Sequence, residues 1–247
     1  MFTTETLLSS DLPDVRVGIG RGTASGNVER SVLAMEGHDI VIYDDPHELA
    51  SDFASGKIDA AVRGDMSSSV LLPMIKSGIG LKSLERAVFM EPPGRKMFIL
   101  APVGIDEGWT ERQKHDLAVR SAALAKRVGM GSKIAIMSGG RCEDVGRCKV
   151  VDKSIDSARN LAKKLCGEGY DAYHSQILIE DAVREADIII APEGITGNII
   201  FRSLHFIGGV AALGAPVINT DKVFIDTSRA KTDYRDSLAL AMMLTED

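Results

Sequence analysis

The run Glu180-Asp181-Ala182-Val183-Arg184-Glu185-Ala186-Asp187-Ile188-Ile189-Ile190-Ala191-Pro192-Glu193-Gly194-Ile195-Thr196-Gly197-Asn198 compresses a helix, a strand and a glycine turn into one stretch. Glu180–Glu185 reads as a short helix. Ile188–Ala191 is a β-branched run closed by proline, too short for a helix and apolar on both faces, so it reads as a buried strand. Gly194 and Gly197 let the chain turn sharply, and 197–213 then reads as a buried, Gly-dotted helix. A strand buried on both faces needs helices on both sides, which describes a parallel α/β sheet.

The same alternation runs outward in both directions. Toward the N-terminus, strands read at 15–19, 40–43, 60–63 and 134–137, with helices at 27–35, 47–54, 67–76, 111–127 and 154–165. The segments 87–91 and 97–101 flank Pro92-Pro93-Gly94-Arg95, which is hairpin chemistry and predicts one antiparallel pair. Toward the C-terminus, 216–219 and 223–226 read as short strands and 236–244 as a closing helix. No repeat or low-complexity tract interrupts the 247 residues, and the stretch 102–109 is the best crossover between two domains.

The chain is 45% hydrophobic and 26% charged, ordinary for a globular protein, but only 5% aromatic, so the core rests on aliphatic residues. Its net charge of −6 does not attract nucleic acid or acidic lipid, although a local basic pocket is compatible with it. No apolar run reaches the length of a membrane span, and Met1-Phe2-Thr3-Thr4-Glu5 lacks the features of a signal peptide. Cys142, Cys148 and Cys166 are few and odd in number, which fits a cytoplasmic protein, and their spacing matches no common metal site. The five histidines are scattered, so no metal is expected.

Three places could carry chemistry. Gly18, Gly20 and Gly22 follow the first strand, with Asp44 ending the second; this imitates a dinucleotide or S-adenosylmethionine loop, and equally a tight strand–helix connection. Arg63-Gly64-Asp65-Met66-Ser67-Ser68-Ser69 puts a guanidinium and hydroxyls where a helix begins, an anion site or merely a capped helix. Glu193 to Asn198 and Asp226-Thr227-Ser228-Arg229 each follow a short strand, the end at which open α/β sheets bind ligands. Loops of the Walker type, a Gly-x-Ser-x-Gly elbow and a His-Glu-x-x-His motif are absent from the sequence.

Ala186 to Pro192, Gly194 to Ile199, Gly208-Gly209, Leu213 to Val217 and Ser228-Arg229, in that order, resemble the C-terminal signature of phosphate acetyl/butyryltransferases and their acyl-phosphate-forming relative PlsX. Asp59 to Gly64 with Ser67 to Ser69 and Pro73, the hairpin, and Leu124-Ala125-Lys126 to Ser138 are similar to the same family's middle segment. Length, the Gly18–Gly26 opening and the acidic balance are closer to the methanogenesis marker protein 4 group, also called MtxX, which carries a methyltransferase-related label.

The resemblance implies a two-domain isocitrate/isopropylmalate dehydrogenase-like fold, with mostly parallel sheets and an interdomain cleft. Residues 1–103 with 217–247 would form the first domain and 104–216 the second, which would make a homodimer. It also implies that Ser228 and Arg229 serve the oxyanion and the phosphate, that Asp233 or Asp236 is the base, and that Asn198 orders its turn. Arg63, Gly64, Ser67, Ser68, Ser138, Gly139, Gly194, Thr196, Asn198 and Arg202 would contact a small anionic ligand, coenzyme A or phosphate, with no cofactor bound covalently. The sequence departs from those enzymes in having Leu72-Pro73 where they carry Arg-Pro, and in offering Arg202 about a turn from their second-domain arginine. Three readings follow: a phosphotransacetylase-like transferase linked to methanogenesis; a methyltransferase using S-adenosylmethionine or a corrinoid partner; and a non-catalytic ligand-binding or assembly protein.

Overall fold

The computed structural model describes residues 2–22 and 26–245, so positions 23–25 of the expected Gly20–Gly26 turn lie outside the described residues. In chain order its elements are α1 (Thr4–Leu8), β1 (Val17–Gly20), α2 (Asn27–Leu33), β2 (Ile40–Tyr43), α3 (Pro46–Ser55), β3 (Ala60–Val62) and α4 (Ser68–Gly78). Then come β4 (Val88–Glu91), β5 (Phe98–Ala101), α5 (Glu111–Arg127), β6 (Ile134–Met137), α6 (Lys149–Gly167), β7 (Ala172–Gln176), α7 (Ile179–Glu185), β8 (Ile188–Ile190) and α8 (Gly194–Arg202). A π turn over Ser203–Ile207, β9 (Ala211–Pro216), β10 (Val223–Asp226) and α9 (Arg235–Met243) complete the chain.

Local chemistry sets many of these limits. Asp45 accepts from the His47 amide and Pro46 takes the first helical position of α3, while Gly56 closes it in the left-handed region. Thr110 and Gln113 form a reciprocal capping box at the start of α5, and Lys126 and Arg127 sit in its last turn, where the helix dipole favours cations.

The chain divides into two compact units, one of residues 3–84 with 213–247 and one centred on 85–212. The expected division after residue 103 falls instead after Leu84, because β5 pairs with β8 in the register Ile99↔Ile188 and carries its hairpin partner β4 with it. The stretch 102–109 therefore lies inside one unit.

In the first unit the strand order is β2-β1-β3-β10-β9. β2, β1, β3 and β10 run parallel, with Val17 opposite both Ile40 and Ala60, and Ala60 opposite Val223. β9 is antiparallel to β10. Phe53 of α3 and Phe224 of β10 meet at 6.0 Å in a core that also holds Leu49, Ile58, Leu71 and Ile75. Burying each such side chain stabilises the unit by about 1.5–3 kcal/mol. In the other unit the order is β4-β5-β8-β6-β7, parallel from β5 onward, with the expected hairpin pairing Val88 with Leu100.

Three expectations fail. The stretch 197–213 is not one buried helix: α8 ends at Arg202, a π turn follows, and Gly209 enters the left-handed region at φ 68° before β9. Its outer face is exposed, with Ile199, Phe206 and Ile207 open to solvent. The strand expected at 216–219 is β9, which ends rather than begins at Pro216. β7 was not foreseen at all.

Candidate functional site

In the first unit β1 connects through α2 to β2 on one side, and the chain then returns across β1 to β3. The strand order thus reverses between β1 and β3, and ligand crevices form at the carboxyl ends of strands at such a point. Here those ends are Gly20–Gly22 and Arg63–Asp65, and the two loops close on each other. Gly64 has φ 60°, and a Cβ on it would overlap the Gly20 carbonyl oxygen. The Gly22 amide donates to Asp65 Oδ1 at 2.6 Å. A Cβ on Gly18 would strike Ile58 and Leu49, and one on Gly20 would strike Met66 and the Arg63 carbonyl. All three glycines of the expected cofactor loop therefore serve close packing. Asp44, the acidic residue of that reading, is held in a fork by Arg21 Nε and Nη2 at 2.6 and 2.7 Å, which lowers its carboxyl below the usual range.

Arg63 is buried. Its Nε lies 2.5 Å from Asp226 Oδ1 and its Nη1 donates to Met66 O at 2.7 Å. The sequence reading offered Arg63 as a ligand arginine; the structure commits these nitrogens to joining the ends of β3 and β10. Thr227 completes the seam, its hydroxyl donating to Gly64 O at 2.7 Å. The β3–α4 and β10–α9 loops are thereby joined at Gly64 and Thr227. Ser67 occupies the N-cap of α4, but its side chain makes no capping bond; its Oγ pairs instead with Ser69 Oγ at 2.9 Å. The plain helix-cap reading therefore fails, and the first-turn amides of α4 have no side-chain acceptor at the cap.

Beyond β10, Ser228 is half-buried and its carbonyl accepts from the Lys231 amide at 3.1 Å and from Tyr234 Oη at 3.3 Å. Tyr234 is fully buried, and burial pushes its hydroxyl up to about 12. Arg229 is exposed, and among the described residues its guanidinium has no hydrogen bond or ion pair. The two candidate bases differ sharply. Asp233 is exposed and forked by Arg235 at 2.6–2.9 Å, which lowers its carboxyl. Asp236 is mostly buried, pairs with Lys231 Nζ at 2.8 Å and accepts from the Ser237 amide at 2.6 Å; burial outweighs these partners and raises its carboxyl. A raised carboxyl is the better proton acceptor near neutrality. Lys231 is the cation here that sequence reasoning missed; only its pairing with Asp236 marks it out.

The remaining expected residues lie in the second unit. Ser138 directly follows β6 and is buried, donating to Gly140 O at 2.9 Å and lying 2.8 Å from His174 Nε2. Burial lowers the His174 pKa. The Gly139 amide donates to Ser154 Oγ at 2.8 Å. At the start of α8, Glu193 accepts from the amides of Ile195 and Thr196 and from the Thr196 hydroxyl, a carboxylate cap on a helix N-terminus. Gly194 allows backbone contact, since a Cβ there would overlap Gly104 O, and Asn198 Nδ2 donates to Val103 O at 2.8 Å, tying α8 to the loop after β5. Arg202 is exposed, with its guanidinium 5.1 Å from the Phe206 ring. A cavity of about 1190 Å³ opens at the carboxyl ends of β6 and β8, reached by Ser138, Gly139, Glu193 and Thr196. Among the described residues no group of three or more His, Cys, Asp or Glu could hold a metal, the three cysteines are free and exposed, and no helix is long and apolar enough to cross a membrane.

No family model matches the chain. A branched-chain phosphotransacylase from Enterococcus faecalis has the same fold, with a TM-score of 0.70 at 18% identity over 94% of this chain and 99% of that one. The protein is thus an α/β protein of the phosphotransacylase fold. In sequence it is 39% identical over 212 residues to the "Putative methyltransferase mtx subunit X" of Methanosarcina acetivorans, covering 85% of this chain and 76% of that protein. It is 33% identical over 254 residues to an "Uncharacterized methyltransferase" of Methanopyrus kandleri, covering 93% and 99%. The chain belongs to the methyltransferase mtx subunit X family, MtxX.

Proposed function

We propose that the protein is a phosphotransacetylase-like group transferase acting on a small phosphate- or coenzyme-A-type anion. The observation that carries this reading is the β10–α9 loop: an exposed, unpaired Arg229 beside Ser228, hydrogen-bonded through Thr227 to the loop that opens α4 without a side-chain cap. A guanidinium and a helix N-terminus without a side-chain cap favour a phosphoryl or acyl-phosphate group. Ser228 then supplies a hydroxyl to the oxygen on which charge develops, where a fixed donor accelerates transfer most. Asp236 is the base we assign to the incoming thiol. Its raised carboxyl fits that task better than Asp233, and release of Lys231 on ligand binding would free it. A role in the one-carbon metabolism of methanogens is the setting we propose.

A thermal-shift screen tests this reading. A ligand at a hundred times its dissociation constant adds about 2.7 kcal/mol of stability. Phosphate, acetyl phosphate or coenzyme A should stabilise the protein, and Arg229→Ala should abolish the shift. Stabilisation by S-adenosylmethionine alone would transfer the case to the methyltransferase reading that the relatives' names carry.

A further inference from the structure

The loop between β6 and α6 carries two of the three cysteines, in the run Arg141-Cys142-Glu143-Asp144-Val145-Gly146-Arg147-Cys148-Lys149. Both thiols are free and exposed. Two consecutive turns fold this run back on itself: the Asp144 amide donates to Arg141 O at 3.0 Å, and the Arg147 amide to Asp144 O at 3.1 Å. Each such turn holds its end Cα atoms within about 7 Å. The Gly146 amide donates to Asp152 Oδ1 at 2.8 Å, tying the second turn to the start of α6. The Cys142 amide donates to Gln176 Oε1 at 2.8 Å, anchoring Cys142 at the end of β7.

The packing of the loop on α6 fixes the register of the two cysteines. The Gly139 amide donates to Ser154 Oγ at 2.8 Å, and a Cβ on Gly140 would lie 2.6 Å from Val151 Cγ1. One residue forward in the loop is thus about one turn backward in the helix, along the side that residues at i and i+3 share. The next step of the same kind brings the loop to Arg141-Cys142 and the helix to Cys148, its N-cap. A disulfide needs its two Cα atoms within about 7 Å, which neighbouring residues on packed segments satisfy. Cys166 lies near the other end of α6, about 27 Å from Cys148 at 1.5 Å per residue, and its thiol donates to Ala172 O at 2.9 Å.

We propose that Cys142 and Cys148 form a reversible intramolecular disulfide, a redox-sensitive modification site. The oxidant is a low-molecular-weight disulfide. One cysteine thiolate attacks it, forming a mixed disulfide and releasing one small thiol. The second cysteine attacks the protein sulfur of that mixed disulfide and expels the other small thiol. The protein gives up two electrons and two protons, and the small disulfide takes them up as two thiols. Exposed disulfides are the readily reduced kind, and in a reducing compartment such a pair acts as a sensor. Ser138 and Gly139 of the loop and Val151 and Ser154 of α6 line the cavity of this unit, so the bond ties together two segments of its wall. The proposal uses no ligand and no reaction assigned above.

Trypsin makes the bond readable, because Arg141, Arg147 and Lys149 place each cysteine on its own peptide. The purified full-length protein is equilibrated with mixtures of reduced and oxidised glutathione. Free thiols are then counted and blocked, and the denatured chain is digested for mass spectrometry without reduction. The expected result is a fall from three thiols per chain to one, with Cys142–Arg147 linked to Cys148-Lys149 until a reductant is added. Cys166→Ser should keep the link. Cys142→Ser or Cys148→Ser, both at exposed positions, should abolish it and leave glutathione on the remaining loop cysteine. Three persistent thiols in the wild type, glutathione on both loop cysteines with no internal link, or a link to Cys166 or to a second chain would overturn the proposal.

Discussion

Asp226→Ala tests the clamp on which the candidate site is built. The Arg63–Asp226 pair is close, at 2.5 Å, and its side chains are only 7% and 14% exposed. At that burial the attraction largely offsets the cost of desolvating both charges, so the intact pair contributes little net stability. Removing one partner is different, because Arg63 then stays buried with Met66 O as its remaining acceptor among the described residues. Breaking a buried pair costs about 3–5 kcal/mol. Asp226 sits at a strand end, so we take the lower limit, about 3 kcal/mol, which corresponds to a fall in Tm of roughly 6–12 °C for a chain of this size. Thermal and urea unfolding followed by far-ultraviolet circular dichroism reads this directly. The double variant Arg63→Met/Asp226→Leu removes both charges and should return to within about 1 kcal/mol of wild type. A loss below about 1 kcal/mol in the single variant, or a double variant no better than the single, would refute the reasoning.

Gly64→Ala should destabilise the first unit by about 2 kcal/mol or more, since it forces a side chain into the left-handed region and against the Gly20 carbonyl; urea titration measures it, and a neutral result would remove the contact as the reason for glycine. The two aspartates should show opposite pH behaviour. Asp236 has a raised folded pKa, so its favourable contribution is present below the unfolded pKa and is lost as pH rises through the folded one. Wild type should therefore gain on Asp236→Asn as pH falls from neutrality. Asp233 is lowered by Arg235, so its contribution is present above the unfolded pKa and is lost as pH falls, and wild type should lose its advantage over Asp233→Asn in acid. Melting temperatures across that range would show equal slopes if the assignment of environments were wrong.

The sequence carried much of this fold, and its failures have physical causes. Strands such as β2, β6 and β10 are runs of apolar and β-branched residues, and their limits could be read directly. β7, Ala-Tyr-His-Ser-Gln, lies at the sheet edge with only Ala172 and Ser175 buried, so it has no apolar run to betray it. The mostly small residues 211–215 suit helix and strand alike, and Gly209 and Gly214, both with positive φ, break a helix there. The first turns of α6 face solvent and escape an apolar pattern, which placed that helix start five residues late. At the site, the order Ser228-Arg229 after a short strand was legible. The inward commitment of Arg63 and the Lys231–Asp236 pair were not, because each depends on a partner that is brought near only by folding.

The most direct test of the central claim is thioester formation from acetyl phosphate and coenzyme A by the wild type, Ser228→Ala and Arg229→Ala. The account predicts turnover in the wild type that falls by roughly a hundredfold or more in Ser228→Ala, as removal of an oxyanion donor does. It predicts loss of saturation by acetyl phosphate in Arg229→Ala. Transfer that is unaffected by either substitution, or no transfer by a folded wild type that binds neither substrate, would contradict it.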